Sequence, residues 1–220
     1  LIDSCRDVMD HEILQNNFKI VTFNVLSDEY EKNITDISEI VNHIIKYIAS
    51  TNANVICLQE VQNILLCEIK KEINGCPLFA QLNCFNEVII MTKIKPVYHE
   101  IIELGPIKSV LLVELKLNNE EILSFVGIHL SSNYKDDSSK KRTSQLHKIK
   151  NKISAKNYVI LFGDTNETKQ SITHFEDYTD AWLYLKPDVD LLSTSNVLLR
   201  EQFFDMLTKI CSTCGLFSMY

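Results

Sequence analysis

Apolar runs that end on single polar residues give the chain its framework. Phe18-Lys19-Ile20-Val21-Thr22-Phe23 is β-branched and aromatic, and predicts a buried strand that stops at Asn24. Over residues 36–49 the period changes. Ile37, Ile40, Val41, Ile44, Ile45 and Ile48 fall on one face of a predicted helix, with Thr35 or Asp36 as its N-cap. Residues 53–59 predict a second buried strand, which delivers Glu60 at its end, and a helix over about 64–73 closes at Asn74-Gly75. Strand-like runs follow at 78–83, 87–92, 97–103, 108–117 and 121–129, with Asn118-Asn119 as a hairpin turn. Residues 141–153 predict a helix with Leu146, Ile149 and Ile153 inward, and residues 157–162 a strand that ends at Gly163-Asp164.

The order is strand–helix–strand–helix, then consecutive strands, then helix–strand, with no internal repeat. Mixed sheets covered by helices are the natural packing for it. The conspicuous polar residues sit at strand C-terminal ends, where α/β sheets place ligands. With 220 residues and an ordinary hydrophobic share of 45%, the chain suits one domain with a sizeable core. Residues 1–17 are polar and mixed, and are expected to form a leader or linker ahead of a domain over 18–220. A start without Met suggests a piece of a longer chain.

Charge and cysteine usage narrow the classes. A net charge of -7 argues against a protein that coats nucleic acid by bulk charge, but not against an enzyme handling a phosphodiester locally. Seven irregularly spaced cysteines fit reduced thiols and an intracellular location. No apolar run approaches the ~20 residues needed to span a bilayer, and no signal-peptide pattern opens the chain. Cys211-Ser212-Thr213-Cys214 would need two more ligands to hold zinc, so free thiols are the default.

Four stretches carry candidate chemistry: Thr22-Phe23-Asn24-Val25, Leu58-Gln59-Glu60-Val61, Gly127-Ile128-His129-Leu130 and Gly163-Asp164-Thr165-Asn166. Each is an apolar strand ending in groups that can bind a metal or a phosphate. Singly, each has a blander account. Asn or Glu at a strand end is usually a turn former, Gly-Asp-x-Asn is mostly an Asx-type turn, and a lone histidine is usually a satisfied core residue.

In this order, however, the four resemble the motifs of the endonuclease/exonuclease/phosphatase superfamily, from about Phe18 to Trp182. The resemblance implies a deoxyribonuclease-like α/β sandwich of two packed mixed sheets flanked by helices. It implies Asn24 and Glu60 as metal-holding residues, with Mg2+ the expected ion and Mn2+ an alternative. It implies Asp164 as the group that orients or deprotonates the attacking water, and Asn166 and His129 as donors to the phosphoryl oxygens. Magnesium suits that set because it prefers oxygen and keeps several waters.

Ser131, the run Lys140-Lys141-Arg142, Gln145 and Asp180-Ala181-Trp182 resemble 5′-tyrosyl-DNA phosphodiesterases, which implies Ser131, Arg142 and Trp182 on the substrate side. The first motif, Asn24-Val25-Leu26-Ser27-Asp28, looks more like that of poly(A) deadenylases. The expected function is hydrolysis of a nucleic-acid phosphodiester, with DNA favoured over RNA and a DNA-repair type favoured over a deadenylase type. The protein is expected to act as a monomer, with no membrane partner.

The resemblance fails at the C-terminal end. The superfamily's closing Ser-Asp-His is not found. Gln202-Phe203-Phe204-Asp205-Met206-Leu207 resembles the strand before it, which makes Asp205 the match to the Asp that orients the missing His. Two explanations stand side by side: a chain cut short before its last strand, or a degenerate relative that serves as a binding module.

Overall fold

The computed structural model describes residues 18–25, 37–61, 63–72, 78–80, 88–116, 121–132, 137–166, 178–180 and 195–200. The strands β1 (Ile20–Asn24), β2 (Val55–Gln59), β3 (Leu78–Ala80) and β4 (Val88–Thr92) form one sheet in the order β1-β2-β4-β3. The strands β5 (Tyr98–Glu103), β6 (Ser109–Lys116), β7 (Ile122–His129), β8 (Tyr158–Asp164), β9 (Tyr178–Asp180) and β10 (Ser195–Arg200) form a second, in the order β5-β6-β7-β8-β10-β9. Three helices are described: α1 (Ile37–Thr51), α2 (Asn63–Glu72) and α3 (Ser138–Ile153).

Each sheet holds one parallel pair, β1 with β2 and β7 with β8, and every other pairing is antiparallel. A parallel pair needs a crossover, and α1 and α3 supply it. The pairs set strand ends side by side: Asn24 is in register with Gln59, and His129 with Asp164. Four motifs far apart in sequence thereby become two adjacent pairs.

Alternating side chains on each strand feed two layers at once. Val55, Cys57, Val88 and Ile90 face Leu111, Val113, Phe125 and Phe162 between the sheets. On the far side of the first sheet, Val21, Ile56, Leu58 and Ile89 pack under Val41, Ile45 and Ile48 of α1 and Leu65, Leu66 and Ile69 of α2. On the far side of the second, Leu112, Val126, Ile128 and Leu161 pack under Leu146, Ile149 and Ile153 of α3. Strands covered on both faces read as continuous apolar runs, which is why they were prominent in the sequence.

Between the sheets the fit is close at one point. A methyl group added at Gly127 would meet Cys57 Sγ at 2.8 Å and the side chains of Val88 and Ile90 at 3.0 Å. Burial at that contact pushes the Cys57 thiol up to about 12.

The α/β sandwich expected from the sequence is the observed architecture. Its details differ at element ends. Helix α1 runs to Thr51, past the expected 49, and stops where Asn52 turns left-handed (φ 50). Helix α3 begins at Ser138 rather than 141, because its first turn is polar. Tyr178–Asp180 and Ser195–Arg200, over which no element was expected, are strands, the second inserted between β8 and β9. Residues 1–17, the Thr35/Asp36 cap, Asn74-Gly75, the Asn118-Asn119 turn and residues 202–207 lie outside the described residues. Among the described residues, no helix is long and apolar enough to cross a membrane.

Candidate active site

The C-terminal ends of the two parallel pairs meet. Asn24 Nδ2, at the end of β1, donates to Glu60 Oε1 at 2.9 Å and to Asp164 Oδ2 at 3.0 Å. One amide therefore clamps a carboxylate from each sheet. His129, at the end of β7, brings Nε2 to 3.6 Å from Glu60 Oε1. Asp164 and His129 are buried, and Glu60 keeps a small opening to solvent.

Backbone geometry explains how each group arrives. Gly163 has φ +136, and a Cβ there would stand 2.0 Å from the Ile128 carbonyl oxygen. Only glycine lets β8 lie so close to β7 one residue before Asp164. Leu130 N–H donates to the Asp164 carbonyl at 2.9 Å and carries the pairing one step past His129. Asp164 Oδ1 accepts from the Asn166 backbone N–H at 2.8 Å, so both of its oxygens are held. Asn166 is left-handed (φ 52), and its Nδ2 donates to the Leu130 carbonyl at 3.0 Å. Glu60 is left-handed too (φ 59), a strained state for a residue with a side chain.

Beneath this layer lies Gln59, which is fully buried. Its Nε2 donates to Thr22 Oγ1 at 3.1 Å and lies 3.1 Å from Cys57 Sγ, while its backbone carbonyl accepts from Val25 N–H at 3.0 Å. Gln59 ties β1 to β2 under Asn24 and Glu60. No role was assigned to it from sequence, although a polar side chain closing an apolar strand was the available signal.

Among the described residues no group of three or more His, Cys, Asp or Glu stands ready to hold a metal. A hard divalent ion would instead find oxygen at Glu60 and the Asn24 amide, a mixed set that suits an ion retaining water.

Solved structures share this fold. D. rerio TDP2 matches in a form humanized by 14 mutations, at 22% identity and TM-score 0.72, and in a form complexed with single strand DNA product, at 20% and 0.70. Both matches cover 83% of this chain and 83% of the other. The human Nocturnin catalytic domain with bound sulfate matches at 15% identity and TM-score 0.68, over 84% and 83% of the two chains. An endonuclease/exonuclease/phosphatase family protein from Bacteroides thetaiotaomicron matches at 12% and 0.68, over 83% of each. The chain has the endonuclease/exonuclease/phosphatase fold. No protein-family model matches it, and no curated protein does.

Within the endonuclease/exonuclease/phosphatase fold, Asn24, Glu60, His129, Asp164 and Asn166 come together at the strand ends. Ser131 and Arg142 stand beside them, bonded to each other's elements. Arg142 Nη1 donates to the Ser131 carbonyl at 2.9 Å, and Gln145 exchanges two bonds with Ser131, through its backbone N–H and its hydroxyl. Both α3 side chains are buried. Trp182 and Asp205 lie outside the described residues.

Proposed function

We propose that the protein is a metal-dependent phosphodiesterase that hydrolyses a nucleic-acid phosphodiester. The observation that carries this reading is the single Asn24 amide bonded to both Glu60 and Asp164. The amide donor gathers two carboxylates at one point, and the negative charge brought together there favours a cation beside them.

The donor set fits a divalent ion, Mg2+ with Mn2+ as substitute, held by Glu60 and the Asn24 amide oxygen. Such an ion supplies charge to polarise the phosphoryl oxygens and stabilise the leaving oxygen. Asp164 holds the attacking water. Its carboxylate is fixed by Asn24 on one oxygen and by the Asn166 N–H on the other, so it orients the nucleophile without reorganising. His129 offers a donor to a non-bridging oxygen as negative charge builds. Asn166 spends one amide hydrogen on Leu130 and has a second to offer the phosphate.

The strain at Glu60 supports this reading over a degenerate binding module, because a scaffold without chemistry gains nothing from it. Within it, a DNA substrate of the tyrosyl-DNA type is favoured over a deadenylase substrate by Ser131 and its Arg142–Gln145 support, where the sequence resembles that type.

The test is turnover of bis(4-nitrophenyl) phosphate with Mg2+ by the full protein. Asp164→Asn is expected to lower kcat by about two orders of magnitude or more, while the loss of one of its two accepted bonds costs only about 1–3 kcal/mol of stability and leaves the fold intact. No turnover by the parent, or turnover unaffected by Asp164→Asn, overturns the reading. A 5′-phosphotyrosyl oligonucleotide set against poly(A) RNA then decides the substrate.

A further inference from the structure

The strand β5 closes the six-stranded sheet on one side, and among the described residues its strand partner is β6 alone. An outer strand offers a row of N–H and C=O groups to another chain unless the edge is covered or blunted. Tyr98–Glu103 contains neither of the usual blunting residues, Lys and Pro. Tyr98, His99, Ile101 and Glu103 are exposed, and Ile101, an apolar side chain in mid-strand, is 41% exposed.

The direction of the backbone groups follows from the pairing with β6. Ile102 lies opposite Val110, and Leu104 N–H donates in the same register to the Lys108 carbonyl at 2.8 Å. Hydrogen bonding alternates along an antiparallel pair. Tyr98, Glu100 and Ile102 therefore turn their backbone groups toward β6. His99, Ile101 and Glu103 turn theirs outward, and the side chains of these three share one face. On the other face the acidic group is answered within the chain. Glu100 accepts from the Tyr98 hydroxyl at 3.0 Å and pairs with Lys152 Nζ at 2.6 Å.

We infer that this edge pairs with the same edge of a second copy of the chain, antiparallel and centred on Ile101. The two six-stranded sheets then join into one across a two-fold axis. Ile101 lies opposite its own counterpart, and His99 of each copy lies opposite Glu103 of the other. This register sets outward-facing residues against outward-facing residues, and imidazole against carboxylate at both ends. An imidazole N–H donates to a carboxylate whether the ring is neutral or charged, and complementary pairs across strands favour association. A shift of two residues either way sets Glu103 against Val97 or Ile101 instead.

The pairing uses up the edge, so assembly through it stops at two copies. Because β5 and β7 are each antiparallel to β6, they run in the same direction. The two-fold axis therefore points the two candidate active sites in opposite directions, and neither covers the other. An edge of 6 residues buries little area, which makes the dimer weak and dependent on concentration. The inference stands apart from the phosphodiesterase reading. It replaces the monomer expected from the sequence, in which an outer strand reads like an inner one.

Sedimentation of the full protein over a concentration series tests it, with melting temperature as the check on folding. The parent is expected to pass from monomer to dimer between about 1 µM and 1 mM. His99→Glu sets two carboxylates opposite one another, and Glu103→Lys removes the acceptor and sets a cation against the imidazole. Each change acts twice in a symmetric dimer, and each is expected to weaken association about tenfold. Combining His99→Glu with Glu103→Lys restores opposite charges at both ends, and is expected to return association to within roughly threefold of the parent. Amide hydrogen exchange reads the register. The N–H groups of His99, Ile101 and Glu103 are expected to exchange more slowly as concentration rises, while those of Glu100 and Ile102 stay protected throughout. A parent that is monomeric at about 1 mM overturns the inference. So does a dimer that both single variants leave intact, a double variant no tighter than the singles, or exchange at the three outward amides that ignores concentration.

Discussion

Glu60 shows what a single residue can hide. Its identity at the end of an apolar run was legible, because a carboxylate following Val55–Gln59 breaks the pattern at a strand end. Its left-handed backbone was not, because that conformation usually announces itself through Gly or Asn. The strain has a measurable signature. Glu60→Ala and Glu60→Gly both remove the carboxylate and are both expected to lose activity. Only the glycine accepts φ 59 without a steric cost, which is about 1 kcal/mol for a residue with a Cβ. Glu60→Gly should therefore melt about 2–4 °C above Glu60→Ala. Equal melting temperatures would mean that the turn relaxes in the variants and that no strain is held there. Gln59 was illegible for a different reason. Its bond to Thr22 exists only once β1 lies beside β2, and nothing local in the chain records that pairing.

At the scale of elements, α3 separates what periodicity can read from what it cannot. The buried stripe of this helix runs Ser138, Arg142, Gln145, Leu146, Ile149, Ile153. Its apolar half predicted the helix. Its polar half was invisible to an apolar pattern, so the first turn was missed. The same half divides the basic run. Lys140 and Lys141 are exposed, whereas Arg142 turns inward to the Ser131 carbonyl. A substrate role for Arg142 and a pinning role make opposite predictions. Arg142→Lys keeps the charge but loses the planar fork that reaches Ser131. As a pin, it should cost about 1–3 kcal/mol in stability and leave KM for a small diester unchanged. A raised KM with unaltered melting would return Arg142 to the substrate. Denaturant titration beside steady-state kinetics distinguishes the two.

Over the whole molecule, the site is divided between two sheets that share no strand. Asn24 and Glu60 come from the first, His129 and Asp164 from the second, and the 3.0 Å bond from Asn24 to Asp164 crosses between them. The alternation of strands and helices made the sandwich legible, and the strand-end motifs made the two halves of the site legible. The spacing of the sheets was not, because it is set by contacts such as Gly127 against Cys57, between residues distant in the chain. Sheet spacing is therefore expected to bear on the candidate site. Gly127→Ala would drive a methyl group to 2.8 Å from Cys57 Sγ and 3.0 Å from Val88 and Ile90, and the sheets must part slightly to admit it. Overpacking of this kind costs about 1–3 kcal/mol, and the displacement should reach the Asn24–Asp164 bond, so phosphodiester turnover should fall together with stability. Cys57→Ala removes the nearest obstructing atom. It also removes the sulfur beside Gln59, so alone it should be mildly destabilising. Combined with Gly127→Ala it should recover part of both losses, giving a coupling of about 0.5–3 kcal/mol in a double-mutant cycle. Strictly additive losses would show that the sheets accommodate the methyl group elsewhere and that their spacing does not govern the site.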